Sequence, residues 1–358
     1  MCKISKNIID IIPSELKNLM ESTLQDSIYH QEGSVWVHTL MVYEEIKKFD
    51  NLTPKELEIL KYAAMLHDIG KIKTTKFEGD RITSKGHSRL SYHIAMEILD
   101  SIEMDFEDKL QILNLVRYHG NPYHVFSRDD LDREVITLSM QCNLRLLYYL
   151  ALADFKGRIC DDLDENIILL EIFKEAAEKL DCFDQPYQFK SNIAKFNYLV
   201  KKTHHYSDEP FDDTGSKVYM MVGLPGSGKD YYIKNNLQNV PVISLDEIRK
   251  ELKIKPTAAQ GLVVNTAKEN AKVFLRKKED FIWNATNTTK NMREGLINLF
   301  TTYNAYITIV YIGGLSLNEI LEQNKNRDSA IPKNAIKKLF RSLDIPTKEE
   351  AHEIIYVF

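Results

Sequence analysis

The sequence predicts a multidomain protein, with an all-α domain over residues 1–200 and an α/β domain with a parallel sheet over residues 218–358. Three observations predict it. Apolar residues recur at helical spacing almost unbroken to about residue 200. The segment 201–217, KKTHHYSDEPFDDTGSK, is polar, acidic and rich in turn formers, as a linker is. Beyond it, KVYMMVG, VPVISLD, DFIWNAT and AYITIVYIGG are short β-branched or aromatic runs separated by helix-like segments, the pattern of parallel strands with crossover helices. A chain of 358 residues also exceeds what a single core usually organises, ~250 to 300 residues.

Composition narrows the class. With 44% hydrophobic and 28% charged residues, and no apolar run near the ~20 residues that span a bilayer, a soluble protein without a membrane partner is expected. Asp10 interrupts MCKISKNIIDII too early for a signal peptide, so a cytoplasmic location is expected. Cys2, Cys142, Cys160 and Cys182 show no short metal-type spacing and fit reduced thiols. A net charge of −5 argues against a general duplex-coating protein but allows a local basic patch to grip one strand end. No oligomeric state is read from the sequence.

In the helical half, LKYAAMLHDIGK carries Leu60, Ala63 and Ala64 at helical spacing toward His67, with Asp68 next and Gly70 as a helix stop. His38 in SVWVHTLMVYEEI shares a face with Val35, Val42 and Ile46, and Ser34 is the expected N-cap. Asp154 in LLYYLALADFKGR follows Leu147, Leu150 and Ala151 on one face. A carboxylate aimed into a core needs a positive partner. His87 in KGHSRLSYHIA and His119 in LNLVRYHGNPYH complete the set. Taken singly, each residue reads as a hydrogen-bonded core histidine or a helix-end carboxylate. Together they are the nitrogen and carboxylate mixture that suits a divalent transition metal, which activates water as a nucleophile. His93 and His124 fit either a surface or a supporting position.

In the second half, GLPGSGKDYY follows an apolar strand and precedes a helix, the context of a phosphate-cradling loop. Gly223, Gly226 and Gly228 let the backbone wrap around phosphate, Ser227 lies in the loop, and Lys229 adds a point charge. Asp230 stands where a Ser or Thr usually holds magnesium. A carboxylate can ligate Mg²⁺ itself, directly or through water, and can also repel a triphosphate. In ISLDEIRKEL, Asp246 ends a strand and Arg249 lies one turn on. Such a pair could accept a hydroxyl proton and hold an acceptor phosphate, or could be an N-cap with a solvated arginine. Lys325, Arg327, Lys333, Lys337, Lys338 and Arg341 form a basic run broken only by Asp328.

The order His38, His67-Asp68, Asp154 resembles the HD phosphohydrolase superfamily over roughly residues 25–165. HTLM, LHDIGK and ADFKGR look especially like the HD domain attached to some bacterial tRNA nucleotidyltransferases. The resemblance implies that His38, His67, Asp68 and Asp154 hold one metal, with His87 and His119 available for a second, and that Lys71 and Arg158 meet substrate phosphate. Residues 216–350 resemble polynucleotide kinases through GLPGSGKD, LDEIR, NATNTTKNMR and the basic segment after residue 325. That resemblance implies ATP and Mg²⁺ as cofactors, Asp246 as general base, Arg249 on the acceptor phosphate, Asn287 and Arg293 near the nucleotide, and Arg327 as a lid residue. Two positions depart from the kinase pattern: Asp230, and Asn284, where the loop often begins with an acidic residue.

An HD domain followed by a polynucleotide-kinase-like domain resembles the bifunctional bacterial RNA end-healing enzymes. It implies removal of a 2′,3′-cyclic phosphate in the first half, 5′-hydroxyl phosphorylation by ATP in the second, RNA or DNA ends as partners, and a separate RNA ligase downstream. The alternative is an HD nucleotidase fused to a nucleoside or metabolite kinase.

Overall fold

A computed structural model describes residues 8–127, 129–255, 260–326 and 330–358. The chain divides into two units, Met1–Gln188 and Phe189–Phe358. Residues 189–200, grouped with the helical half on periodicity alone, belong to the second unit. Phe196 stacks on His352 with ring centroids 3.7 Å apart, and Lys201 Nζ donates to Asn304 Oδ1 at 2.9 Å. Periodicity reports a helical face but not the body on which that face packs.

The first unit contains α1 (Ser14–Ser22), α2 (Val35–Ile46), α3 (Pro54–Leu66), α4 (Lys71–Thr74), a hairpin of β1 (Lys76–Glu78) and β2 (Arg81–Thr83), α5 (His87–Asp100), α6 (Phe106–Tyr118), α7 (Asn121–His124), α8 (Leu131–Gln141), α9 (Leu144–Lys156) and α10 (Leu163–Lys179). Local signals start the helices where the sequence has them. The Ser34 side chain caps α2 by accepting from Val37 N, and Thr53 and Glu56 form a capping box on α3 with Pro54 in its first turn. Helix α9 is buried almost all round and packs on α2, α3 and α10, so it is the axis of this unit. No single helix among the described residues is long and apolar enough to cross a membrane; α8 and α9 pass that test only as a pair bent by 101°.

The hairpin departs from the all-α expectation. Its strands are three residues each and largely exposed, too short to show an alternating pattern. It stands because Gly79 takes φ +64° in the turn and Asp26 Oδ2 accepts from both Arg81 Nε (2.7 Å) and Ile82 N (3.1 Å).

The second unit contains α11 (Asn192–Phe196), β3 (Lys217–Val222), α12 (Lys229–Asn236), β4 (Val242–Ser244), α13 (Leu245–Glu251), α14 (Gly261–Lys277), β5 (Phe281–Asn284), α15 (Lys290–Thr301), β6 (Tyr306–Ile312), α16 (Leu317–Lys325), α17 (Lys333–Arg341) and β7 (Glu353–Val357). Its five strands are all parallel, in the order β4-β5-β3-β6-β7. The central strands are buried on both faces, which is why they read as continuous apolar runs. The four strands expected from the sequence are present; β7, the run EIIYV, joins them beyond β6. The carboxyl ends of β4, β5 and β3 lie side by side, the edge at which open α/β sheets bind ligands.

Candidate active sites

In the helical unit, α2 brings His38, the end of α3 brings His67 and Asp68, the start of α5 brings His87, the end of α6 brings His119, and α9 brings Asp154. All six converge. His38 Nε2 lies 3.0 Å from Asp154 Oδ1 and 3.6 Å from Asp68 Oδ2, and His67 Nε2 is 3.4 Å from His38 Nε2 and from Asp68 Oδ2. On the other side of Asp68, its Oδ1 is 3.3 Å from His87 Nε2 and 3.8 Å from His119 Nε2, which are 3.1 Å from each other. Asp68 therefore joins two half-sites, one through each oxygen.

The opposite ring nitrogens explain what faces the centre. His67 Nδ1 lies 2.7 Å from Ala64 O, His87 Nδ1 2.9 Å from Ser84 O, His119 Nδ1 2.8 Å from Val116 O, and His38 Nδ1 3.1 Å from Gly157 O. A carbonyl only accepts, so each ring places its proton on Nδ1 and turns an Nε2 lone pair inward. Asp68 Oδ1 is buried and accepts no hydrogen bond. A cage of lone pairs and carboxylates at these separations fits divalent cations, with His38, His67, Asp68 and Asp154 as one donor set and Asp68, His87 and His119 as the other.

The charges agree. Burial alone would raise the Asp68 carboxyl, but Lys71 and His67 hold it well below the usual carboxylate range; burial is likewise outweighed at Asp154 by Arg158 and His38. At His38 the pull is opposite: burial is outweighed by Asp154 and Glu32, which raise its pKa, so a cation must compete with a proton for its Nε2. Burial lowers His87 and pushes His119 down to about 3, leaving both rings neutral donors. Lys71 Nζ reaches Asp68 Oδ2 at 2.6 Å and donates to Gln25 Oε1 at 2.6 Å; Arg158 grips Asp154 through Nη2 at 2.6 Å and Nε at 3.2 Å. Both cations expected on substrate phosphate are thus fastened to the Asp68 and Asp154 carboxylates, while also lining a cavity of about 420 Å³ with His87, His119 and His124. His93 does not line it.

Sequence reading missed Glu32, His30 and Tyr123. Glu32 Oε1 accepts from Nδ1 of His30 at 2.8 Å and lies 3.1 Å from His38 Nδ1. It holds the outer nitrogen of the His38 ring, on the side away from Asp68 and Asp154. Tyr123 lines the cavity, and burial raises its hydroxyl to about 12.

Gly70 is not a left-handed helix stop. It has φ −67°, and α3 already ends at Leu66. Its role is space: a Cβ there would meet His87 O at 2.3 Å and Ser91 N at 2.6 Å, both backbone atoms. Gly70→Ala should push α5 away and separate His87 from Asp68. Metal bound per chain should fall, as counted by elemental analysis, and thermal stability should drop by ~1–3 kcal/mol, the usual cost of overpacking.

In the second unit the loop after β3 carries Gly223, Gly226 and Gly228 at φ +156°, +85° and +100°, conformations that L side chains avoid. A Cβ on Gly223 would also strike Ile312 O at 2.8 Å. Lys229 begins α12, its Nζ donating to Gly223 O (2.9 Å) and Leu224 O (2.8 Å), so the ammonium lies at the loop mouth. Asp246, in the first turn of α13, is bonded to Arg249 Nη1, and Arg249 Nε donates to Gln260 Oε1 at 2.7 Å. A single cavity of about 710 Å³ is lined by Gly226, Gly228, Lys229, Asp230, Asp246 and Arg249. Lys250, Lys253 and exposed Tyr231 lie on it, with Ile254, Pro332 and Leu339 as its apolar wall. These last residues carry no motif, so the sequence did not single them out.

Three expected nucleotide contacts lie elsewhere. Ser227 is buried beneath the loop and does not reach the cavity. Asn287, at φ +46°, donates from Nδ2 to Met221 O at 2.7 Å and ties its loop to β3. Arg293 is fully buried: Nε and Nη2 donate to Glu350 at 2.6 and 2.9 Å, and Nη1 to Asp344 O at 2.8 Å and Asn287 O at 3.1 Å. It is a core ion pair. Arg293→Met should cost about 3–5 kcal/mol in urea unfolding, because Glu350 keeps its burial and loses its partner, whereas Arg293→Met with Glu350→Gln should recover much of that loss. Arg327 lies outside the described residues.

Residues 35–154 match the family model of the HD domain and residues 218–346 that of an AAA domain. The first match runs from the helix of His38 to Asp154, and the second spans the phosphate loop. A crystal structure described as a "putative kinase" from Chloroflexus aurantiacus J-10-fl aligns with 40% of this chain and 86% of its own length, at 16% identity and a TM-score of 0.34. The chain thus carries a helical unit that matches the HD domain, followed by a unit with a five-stranded parallel sheet that matches an AAA domain and is consistent with a P-loop kinase fold. Its histidine and aspartate cluster is compatible with divalent metal.

Proposed function

We propose that the chain heals broken RNA ends, phosphorylating a 5′-hydroxyl with ATP in the second domain and removing a 2′,3′-cyclic phosphate and the resulting monoester in the first. One observation carries the kinase half. Asp246 and Arg249 open on the same cavity as the phosphate loop, and Lys250 and Lys253 line it as well. A γ-phosphoryl group held at Lys229 would pass to the 5′-oxygen as its bond to ADP breaks, and Asp246 would take the hydroxyl proton. Arg249, Lys250 and Lys253 offer cations to the phosphates of a strand, which a nucleoside lacks.

In the HD domain, bound divalent cations would supply activated water and charge for the phosphate oxygens. Lys71 and Arg158 hold Asp68 and Asp154 ionised, and Tyr123 stays a neutral donor on the cavity wall. Labelled ATP offered to a 5′-hydroxyl oligonucleotide and to a mononucleoside tests the reading. The oligonucleotide should be labelled far faster; equal labelling of both, or of the nucleoside alone, would make this a small-molecule kinase fused to a nucleotidase.

A further inference from the structure

The two positions that depart from the kinase pattern are 54 residues apart in sequence and touch each other: Asn284 Nδ2 donates to Asp230 Oδ1 at 2.7 Å. In a P-loop site of the usual kind, a Ser or Thr follows the lysine and holds magnesium together with an aspartate from elsewhere in the fold. Here the carboxylate follows Lys229 in the first turn of α12, and a carboxamide ends β5, the strand paired with β3. Either arrangement contains one carboxylate and one neutral polar group. Their places are exchanged.

We propose that Asp230 and Asn284 form a reciprocally exchanged magnesium-handling pair, in which Asp230 supplies the carboxylate to the cation carried by ATP and Asn284 is the positioning residue that fixes its rotamer. The proposal rests on the nucleotide-binding reading of the loop and not on the identity of the acceptor. Both residues line the same cavity as Gly226, Gly228 and Lys229, so the carboxylate faces the space where β- and γ-phosphates would lie. An ionised carboxylate offers about four lone-pair sites and the amide uses one, which leaves ligand capacity on Asp230. The orientation of the pair also fixes its polarity: an amide can donate to a carboxylate, whereas two carboxylates at this separation would repel and compete for one proton.

Restoring the usual residue at one position alone is therefore harmful. Asp230→Ser removes the only carboxylate of the pair, and Asn284→Asp sets two side by side. Changing both rebuilds the usual arrangement.

The test is a double-mutant cycle on the full chain, with the dissociation constant for ATP measured by calorimetry in excess magnesium and again in EDTA. In magnesium, each single variant should bind ATP ~10-fold more weakly, and Asp230→Ser/Asn284→Asp should return to within ~3-fold of the parent. In EDTA, Asp230→Ser should bind at least as well as the parent, since a negative charge beside the triphosphate is gone; that binding also shows that the loop is folded. Additive losses in the double variant, or an Asn284→Asp chain with parental magnesium dependence, would overturn the proposal. No acceptor enters the measurement, so a chain that phosphorylates nucleosides instead of RNA can still pass it. Failure of the parent to bind ATP would overturn the nucleotide reading and the pair with it.

Discussion

Asp68→Ala is expected to abolish phosphate release from a 2′,3′-cyclic end by at least the ~10²–10³-fold that loss of one electrostatic element costs an active site, while 5′-phosphorylation continues. The ground is that Asp68 serves both half-sites: one oxygen faces His38 and His67, the other faces His87 and His119. No other carboxylate in the cage is placed to replace it. Bound transition metal should fall in the same protein, measured by elemental analysis after gel filtration. Lys71 loses its 2.6 Å partner in this variant, so Asp68→Asn, which keeps the volume, is the control for packing. A well-folded Asp68→Asn chain that retains both its metal and full phosphatase activity would remove Asp68 from the site.

Asp246→Ala is expected to give the complementary loss, a drop of ~10²–10⁴-fold in transfer to a 5′-hydroxyl with cyclic-phosphate removal unchanged, the range for a general base. Its side chain is 65% exposed and bonded to Arg249 on the same helix, so melting temperature should hardly move. Arg249 sharpens the test. It neutralises Asp246 in this arrangement, and must release it or share it when an acceptor phosphate arrives, so Arg249→Ala should raise the KM for an oligonucleotide more than it lowers kcat. Joint loss of both activities in either aspartate variant would mean one composite site.

Much of this was legible in the sequence because the signals are local. Ser34 before the VWVHTLMVYEEI stripe, and the glycines between an apolar strand and a helix, specify backbone geometry within a few residues. The residues of the histidine and aspartate cluster could be read as a set because helical spacing placed His38 and Asp154 on apolar faces and led to His67 with Asp68 beside it, while His87 and His119 joined by residue type alone. What the sequence hid is whatever depends on a partner far along the chain. Gly70 is small for the sake of α5, and Arg293 looks like a loop cation until Glu350 arrives 57 residues later; Glu32 is only six residues from His38 but lies before α2, where no helical spacing links the two. Asp230 and Asn284 each look like a defect when read alone. The hairpin at 76–83 was missed for a different reason: three-residue exposed strands carry no burial pattern, and their stability comes from Asp26.

The central claim, two independent centres on one chain acting on opposite kinds of RNA end, is tested most directly with a single oligoribonucleotide carrying a 5′-hydroxyl and a 2′,3′-cyclic phosphate. It is incubated with the full chain, ATP, magnesium and a divalent transition metal, and the mass of each terminus is followed with time. The expected product bears a 5′-phosphate and a free 3′-end, with Asp246→Ala stopping only the first change and Asp68→Ala only the second. An oligonucleotide left unchanged at both ends, by protein that phosphorylates a mononucleoside and hydrolyses a mononucleotide under the same conditions, would contradict it.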